Sequence, residues 1–191
     1  MLRHFRRAIF AFTTIGLAAC LPALFSTRAE ILPVKTYTAA DGLPRDAVWK
    51  VRQDARGFLW FCTADGLVRF DGYGFKLYAE DEGLPSRRVN DFLQARNGEY
   101  WIGTAVGLVR FNPNGIAGRP ARPAQAMFAV VGFETPPPTL HAKSANIIYE
   151  DPQGMLWVAA EDGLYQVIEK AGYPMLRRID LPFQNKLGYL P

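Results

Sequence analysis

Three stretches of this chain repeat one pattern. Residues 59–70 read LWFCTADGLVRF, residues 100–111 read YWIGTAVGLVRF and residues 156–165 read LWVAAEDGLY. Trp60, Trp101 and Trp157 each stand six residues before a Gly-Leu pair, at Gly66-Leu67, Gly107-Leu108 and Gly163-Leu164. The first two copies are offset by 41 residues and the third by a further 56. A period of about forty residues with one tryptophan and several short strands per unit is the pattern of propeller blades. A unit of this kind cannot bury its own apolar face, so the repeat demands sheets stacked on one another.

Within the first unit the pattern reads as four strands. Residues 47–53 form a β-rich run expected to be innermost, and Asp54-Ala55-Arg56-Gly57 is a turn. Residues 58–63 are aromatic and apolar on both faces, as a strand buried between neighbouring sheets must be. Asp65-Gly66 is a tight hairpin signal, residues 67–70 are the third strand, and Asp71-Gly72 opens the connection to a fourth. That strand, 75–79, alternates Phe75, Leu77 and Ala79 against Lys76, Tyr78 and Glu80, which suits a half-exposed edge. Unit two repeats the plan, with Val89 and Phe92 in the places of Val48 and Val51. It is followed by a Pro/Gly-rich insertion over 112–143, whose one apolar run, 126–133, is expected to be an outer strand. Unit three closes with a strand over 176–179.

The fold expected is all-β: an incomplete β-propeller of about three four-stranded blades, preceded by a signal-peptide helix. The segments are a signal peptide over 1–29, a lead-in strand over 30–40, blade 1 over 41–81, blade 2 with its insertion over 82–143, blade 3 over 144–180, and the start of a further blade over 181–191. A closed propeller needs about four blades or more, so the chain is expected to be the front end of a longer protein.

The leader has Arg3, Arg6 and Arg7 before an almost wholly apolar run over 8–21, with Thr27 and Ala29 at the small-residue positions of a cleavage site. Cleavage after Ala29 is the first reading. Lipidation of Cys20, in the stretch Leu17-Ala18-Ala19-Cys20, is the second, and an uncleaved anchor the third. Each exports the remainder. The net charge of +4 rests on Arg3, Arg6, Arg7 and Arg28, and without them 18 basic residues face 18 acidic ones. No Lys/Arg block tracks phosphates, which argues against nucleic acid as a partner. Past the leader only Cys62 remains, so no intramolecular disulfide is expected, and its apolar strand reads as burial of an inert thiol.

The residues Asp41-Gly42-Leu43-Pro44 and Glu82-Gly83-Leu84-Pro85, then Leu59-Trp60-Phe61 with Thr63 and Tyr100-Trp101-Ile102-Gly103-Thr104, then Leu67-Val68-Arg69-Phe70 and Leu108-Val109-Arg110-Phe111, resemble the unit of the two-component regulator propeller family. The resemblance spans about residues 36–168, interrupted by the insertion. It departs from the family pattern at Cys62, which stands for a glycine, and at Ala159-Ala160, which stand for Gly-Thr. The resemblance implies a periplasmic sensor region of a bacterial sensor histidine kinase or diguanylate cyclase. Its implied partners are a small-molecule or oligosaccharide ligand, the rest of the propeller, a transmembrane output module and a second copy of the parent.

Three functions compete. Ligand sensing leads, with the connections at one end of the blades as the site. Arg45, Arg87 and Arg88 are candidate ligand-binding residues by position. Trp49 is a fourth, since its equivalents are Asn90 and Asn146 and the repeat does not require a tryptophan there; filling a local gap is its other reading. An enzyme is the second. Against it, His141 is the lone histidine past the leader, no His/Cys spacing suits a metal, and Asp65, Asp71 and Asp162 sit at turns where carboxylates cap backbone amides. No catalytic residue, metal or cofactor is assigned to this chain. A binding or scaffold protein without kinase output is the third.

Overall fold

The repeated strand–turn–strand pattern folds into three sheets of the same plan. The computed structural model describes residues 34–44, 47–118, 125–135 and 144–180, and the architecture lies within the unit Tyr37–Pro191. The first sheet is β1 (Val48–Gln53), β2 (Leu59–Thr63), β3 (Leu67–Phe70) and β4 (Phe75–Tyr78). The second is β5 (Val89–Gln94), β6 (Tyr100–Thr104), β7 (Gly107–Phe111) and β8 (Phe128–Val130). The third contains β10 (Ala145–Glu150), β11 (Leu156–Ala160), β12 (Gly163–Lys170) and β13 (Tyr173–Ile179), with β9 (Gly132–Phe133) added outside β13. Neighbours run antiparallel throughout, save that β9 pairs with β13 in parallel. Among the described residues no helix is long and apolar enough to cross a membrane.

Local chemistry sets the turns. In blade 1, Gly57 N donates to Asp54 O at 3.0 Å and takes φ +87°, a conformation that costs glycine nothing. Gly98 and Gly154 repeat this turn. The threonine that ends the second strand closes the next hairpin: Thr63 Oγ1 and Thr104 Oγ1 donate to the carbonyls of Gly66 and Gly107 at 2.9 and 2.8 Å. A single 3-10 turn leads into each of the first two blades, Ala39–Asp41 before blade 1 and Glu80–Glu82 between blades 1 and 2, and each is followed by a buried leucine, Leu43 or Leu84.

The first two strands of every blade share a second irregularity. Pairing slips between Val48 and Lys50, between Val89 and Asp91, and between Ala145 and Ile147. The residue left over is Trp49, Asn90 or Asn146. A bulge re-aims the side chain it carries, and here Trp49 and Asn90 reach the first strand of the next blade.

Apolar burial lies between blades. One cluster joins Trp60, Cys62, Leu67 and Tyr78 of blade 1 to Phe92, Tyr100, Ile102 and Phe111 of blade 2. The other joins Trp101 and Leu108 of blade 2 to Ile148, Val158, Tyr165 and Leu176 of blade 3. A buried aromatic of this size removes about 200 Å² from water, about 5 kcal/mol at the usual coefficient.

Three sequence expectations are amended, and Trp157 departs from its counterparts Trp60 and Trp101. On β4 it is Tyr78 that is buried, packed on Trp60 and Phe111, while Leu77 is exposed: the Tyr78 side of the strand is the one that meets blade 2. The run 126–133 divides between two sheets, β8 closing blade 2 and β9 extending blade 3. Asp162 caps no amide among its described contacts; it accepts from Tyr165 Oη at 2.7 Å and pairs with Arg178 at 3.5 Å. Trp157 is half-buried, in a recess it lines with Ile147, Tyr149, Ala159 and Leu164, on the face that the next blade covers in blades 1 and 2. The leader, with Cys20 and Ala29, and also Arg45 and His141, lie outside the described residues.

Candidate functional site

The bulged residues gather a polar and aromatic cluster at one end of the first strands. Trp49 is 45% exposed, and its Nε1–H donates to Val89 O at 2.6 Å. The Arg88 guanidinium lies 5.8 Å from the centre of the Trp49 ring, and Arg88 Nε donates to Asn90 Oδ1 at 3.1 Å. Asn90 Nδ2 in turn donates to Ala145 O at 3.1 Å and lies 3.3 Å from both Ser144 Oγ and Asn146 Oδ1. Trp49 and Arg88 are thus brought together, while Arg87 is exposed two residues before β5. Asn90, Ser144 and Asn146 join them, and sequence reasoning missed these as site residues. The column Trp49, Asn90, Asn146, read together with the bulge, was the signal for them.

Beneath this cluster lies Asp91, fully buried. Its carboxylate accepts Phe92 N at 2.8 Å and, from the next blade, Ile148 N at 2.9 Å. From the preceding blade come Lys50 Nζ at 2.9 Å and Arg52 Nη2 at 3.6 Å. One carboxylate therefore ties three blades. Cys62, near this charge, is held inert: burial pushes its thiol up to about 12, and Asp91 adds to the rise.

Further from the first strands, the Asp-x-x-Gly turn holds the blade tryptophan. Asp54 Oδ1 accepts Arg56 N and Phe58 N at 2.9 and 3.0 Å, and Oδ2 accepts Trp60 Nε1 at 3.0 Å and Tyr100 Oη of blade 2 at 3.1 Å. Burial raises the Asp54 pKa, but these bonds together outweigh it and hold the carboxyl below its ordinary value. Asp151 repeats the arrangement on Trp157 at 2.9 Å, and that bond is the main cause of its own lowered pKa. A further tie recurs between blades: Ala55 N donates to Gln94 Oε1 at 2.6 Å, and its equivalent Arg96 N to Glu150 Oε2 at 2.9 Å.

The cluster at Trp49 offers an open aromatic face, one guanidinium, two amides and a hydroxyl. That set suits a hydroxyl-bearing or anionic small molecule. Among the described residues no group of three or more His, Cys, Asp or Glu is gathered to hold a metal.

A family model described as two component regulator propeller matches residues 83–105, from the glycine that closes the second link to the residue after β6. A histidine kinase of Formosa agariphila is 46% identical over 43 residues, which are 22% of this chain and 3% of that protein. The extracellular domain of a hybrid two component system from B. thetaiotaomicron aligns with a TM-score of 0.54 at 20% identity, covering 75% of this chain and 18% of that one. A streptogramin B lyase aligns with a TM-score of 0.51 at 18% identity, over 73% of this chain and 42% of the lyase. At these identities the structural likenesses establish the fold, that of propeller blades. The chain spans less than half the length of each of these relatives.

Proposed function

We propose that this chain, whose residues 83–105 match the two component regulator propeller model, is part of the extracytoplasmic sensing propeller of a bacterial signalling protein. Its ligand is a small molecule or an oligosaccharide, held at the end of the blades where Trp49, Arg88 and Asn90 meet. The observation that carries this reading is the placing of the family match, which runs through Arg88, Asn90 and Asp91. The leader pattern in the sequence and the likeness to a histidine kinase over 43 residues support it. In the intact parent, output is through a histidine kinase across the membrane. A ligand moves such an equilibrium only by its differential affinity for two arrangements. The Asn90 and Asp91 bonds to the next blade are where an occupied site would alter blade packing.

Screening the purified chain against a panel of sugars and small metabolites tests the site. Arg88→Ala is expected to weaken the best ligand about tenfold or more with an unchanged melting temperature, because Arg88 is exposed and its removal opens no core. Equal affinity in wild type and Arg88→Ala overturns the site. The parent gene decides the output. Ligand-dependent autophosphorylation in membranes supports the sensor, whereas binding by a parent without a kinase supports the alternative, a periplasmic binding or scaffold protein.

A further inference from the structure

The first turn of a blade borders a recess against the next blade, and the two recesses of this chain differ in chemistry. The one between blades 1 and 2 has a volume of about 330 Å³, within the range of small-molecule sites. It lies at the other end of the strands from Trp49, because β1 runs from the Trp49 bulge to the Asp54 turn. Arg56 of blade 1 and Tyr100, Arg110 and Asn112 of blade 2 line it. In the corresponding recess between blades 2 and 3, the places of Arg56, Tyr100 and Asn112 are taken by Asn97, Leu156 and Ile168. The repeat therefore builds the recess but does not require its polar groups.

Two guanidiniums and one carboxylate, Glu99, line the first recess. Arg56 Nη2 donates to Tyr100 Oη at 3.2 Å, and among the described residues no carboxylate lies within ion-pair distance of Arg56. Its remaining N–H groups can take a further acceptor. Arg110 is 3.8 Å from Glu99, the outer limit of an ion pair, and can do the same. Asn112 Oδ1 accepts from Asn114 N at 3.1 Å, which leaves its Nδ2 as a donor. Blade 1 makes the same turn with a carboxylate: Asp71 Oδ1 accepts from Tyr73 N and Gly74 N at 3.0 Å. Blade 2 keeps the turn and omits the negative charge. Asp54 does not line the recess; its carboxylate sits behind the Tyr100 hydroxyl, which donates to it. The lining thus carries one positive charge in excess. A second anionic group would meet Glu99, whereas a hydroxyl can donate to it.

We propose that this recess binds a small hydroxylated monocarboxylate, its carboxylate on Arg56 and Arg110 and its hydroxyls on Glu99 and Asn112. Occupancy is passed inward along a chain of bonds: Arg56 donates to Tyr100 Oη, Tyr100 Oη to Asp54 Oδ2, and the same oxygen accepts from Trp60 Nε1. An anion that draws on the Arg56 guanidinium changes its bond to Tyr100, and with it the bond at Trp60. The sensing reading is needed only for the use made of the bound molecule.

The ¹⁵N-labelled chain tests this through its indole signals, one for each of four tryptophans. Sodium gluconate, sodium acetate and glucose are titrated, with sodium chloride as the control at equal ionic strength. The Trp60 signal is the one absent in Trp60→Phe or, should that variant not fold, the one most displaced in Tyr100→Phe. It is expected to move saturably with gluconate, about tenfold more weakly with acetate, which has no hydroxyls, and not with glucose. Arg56→Asn and Asn112→Asp are each expected to weaken gluconate about tenfold or more. Both should fold, because blade 2 has Asn97 in the place of Arg56 and blade 1 makes the Asn112 turn with Asp71. The proposal is overturned if gluconate moves no indole beyond the chloride control, if acetate or glucose binds as tightly as gluconate, or if both variants titrate like the wild type. Arg88→Ala, which reads the Trp49 end, should leave this titration unchanged, so the two sites fail separately.

Discussion

Blades 1 and 2 meet through aromatics, and blades 2 and 3 through aliphatics, although the same repeat positions build both contacts. Trp60 lies against Phe92 at 4.7 Å between ring centres, with Tyr78, Tyr100 and Phe111 within 6 Å. Trp101 lies instead among Ile148, Val158, Leu156 and Leu176. Near the bulges the two contacts also differ in width. Blade 1 has Cys62 where blade 2 has Gly103, and a Cβ on Gly103 would stand 2.7 Å from Ala145 O. Correspondingly, the long indole of Trp49 spans to Val89 O, while the shorter Asn90 amide spans to Ala145 O. The repeat therefore fixes the strands of a blade, and each pair of blades settles its own contact through a few matched residues. Trp49 and Cys62 are one such match, and Asn90 and Gly103 are the other.

Asp91 serves both contacts, so its loss should be the largest single effect. Asp91→Ala removes the acceptor of Phe92 N and Ile148 N and the partner of Lys50 and Arg52. Because both cations keep some solvent, most of the cost falls on the two backbone donors, about 3 kcal/mol in all. Urea unfolding should show it, and a change below about 1 kcal/mol would break the picture of one carboxylate holding three blades. Gly103→Ala is next. It needs the Asn90 bridge to lengthen, at a cost of about 1–3 kcal/mol, whereas Cys62→Ala deletes one sulfur and should cost less than Gly103→Ala. Reversal of that order would show that the two contacts are equally wide.

Smaller again is the effect of supplying the acceptor that blade 2 lacks: Ala95 stands where blades 1 and 3 have Asp54 and Asp151, and Trp101 Nε1 is buried without a hydrogen-bond partner among the described residues. Ala95→Asp should stabilise the chain by about 1 kcal/mol through a bond to Trp101 Nε1. The gain should vanish in the Trp101→Phe background, a coupling that a double-mutant cycle isolates. A gain that persists without the indole would assign it to the turn alone.

Much of the blade plan was legible because strand, turn and tryptophan recur in phase. The 3-10 links, the Asp-x-x-Gly turns and the Gly-Leu hairpins follow from residues that sit beside each other in the chain. The contacts between blades were not legible, since they join residues 39 to 57 apart whose meeting depends on how the sheets stack. Lys50, Asp91 and Ile147 occupy one column of the repeat, yet only stacking makes the first two a pair. The same holds for Asp54, Ala95 and Asp151, where the exception in blade 2 is visible in sequence but its consequence for Trp101 is not. Trp49 was singled out as a residue the repeat does not require. Its bulged position and its bond to Val89 O had no counterpart in any local signal.

The outer edge offers the smallest effect and the last difference between the two contacts. After β8 the chain crosses to blade 3, where β9 pairs with β13 and Glu134 N donates to Leu176 O at 2.9 Å. Glu134 holds Arg177 at 2.7 Å and Lys170 at 3.2 Å, and these bonds lower its carboxyl from 4.5 to about 2. A depressed carboxyl contributes fully above its ordinary pKa, and the contribution is lost as pH falls through 4.5 towards 2. Amide protection at Phe133 and Glu134 should therefore fall over that range while the β5–β6 amides hold. Glu134→Gln should show low protection at neutral pH and no further loss on acidification. Asp54 and Asp151 also have lowered values, so global unfolding in acid is expected in both proteins, and only the local difference reports on this strap. Protection that stays level from pH 5 to 2 in the wild type would mean that the backbone pairing of β9 holds the two blades together without the ion pairs.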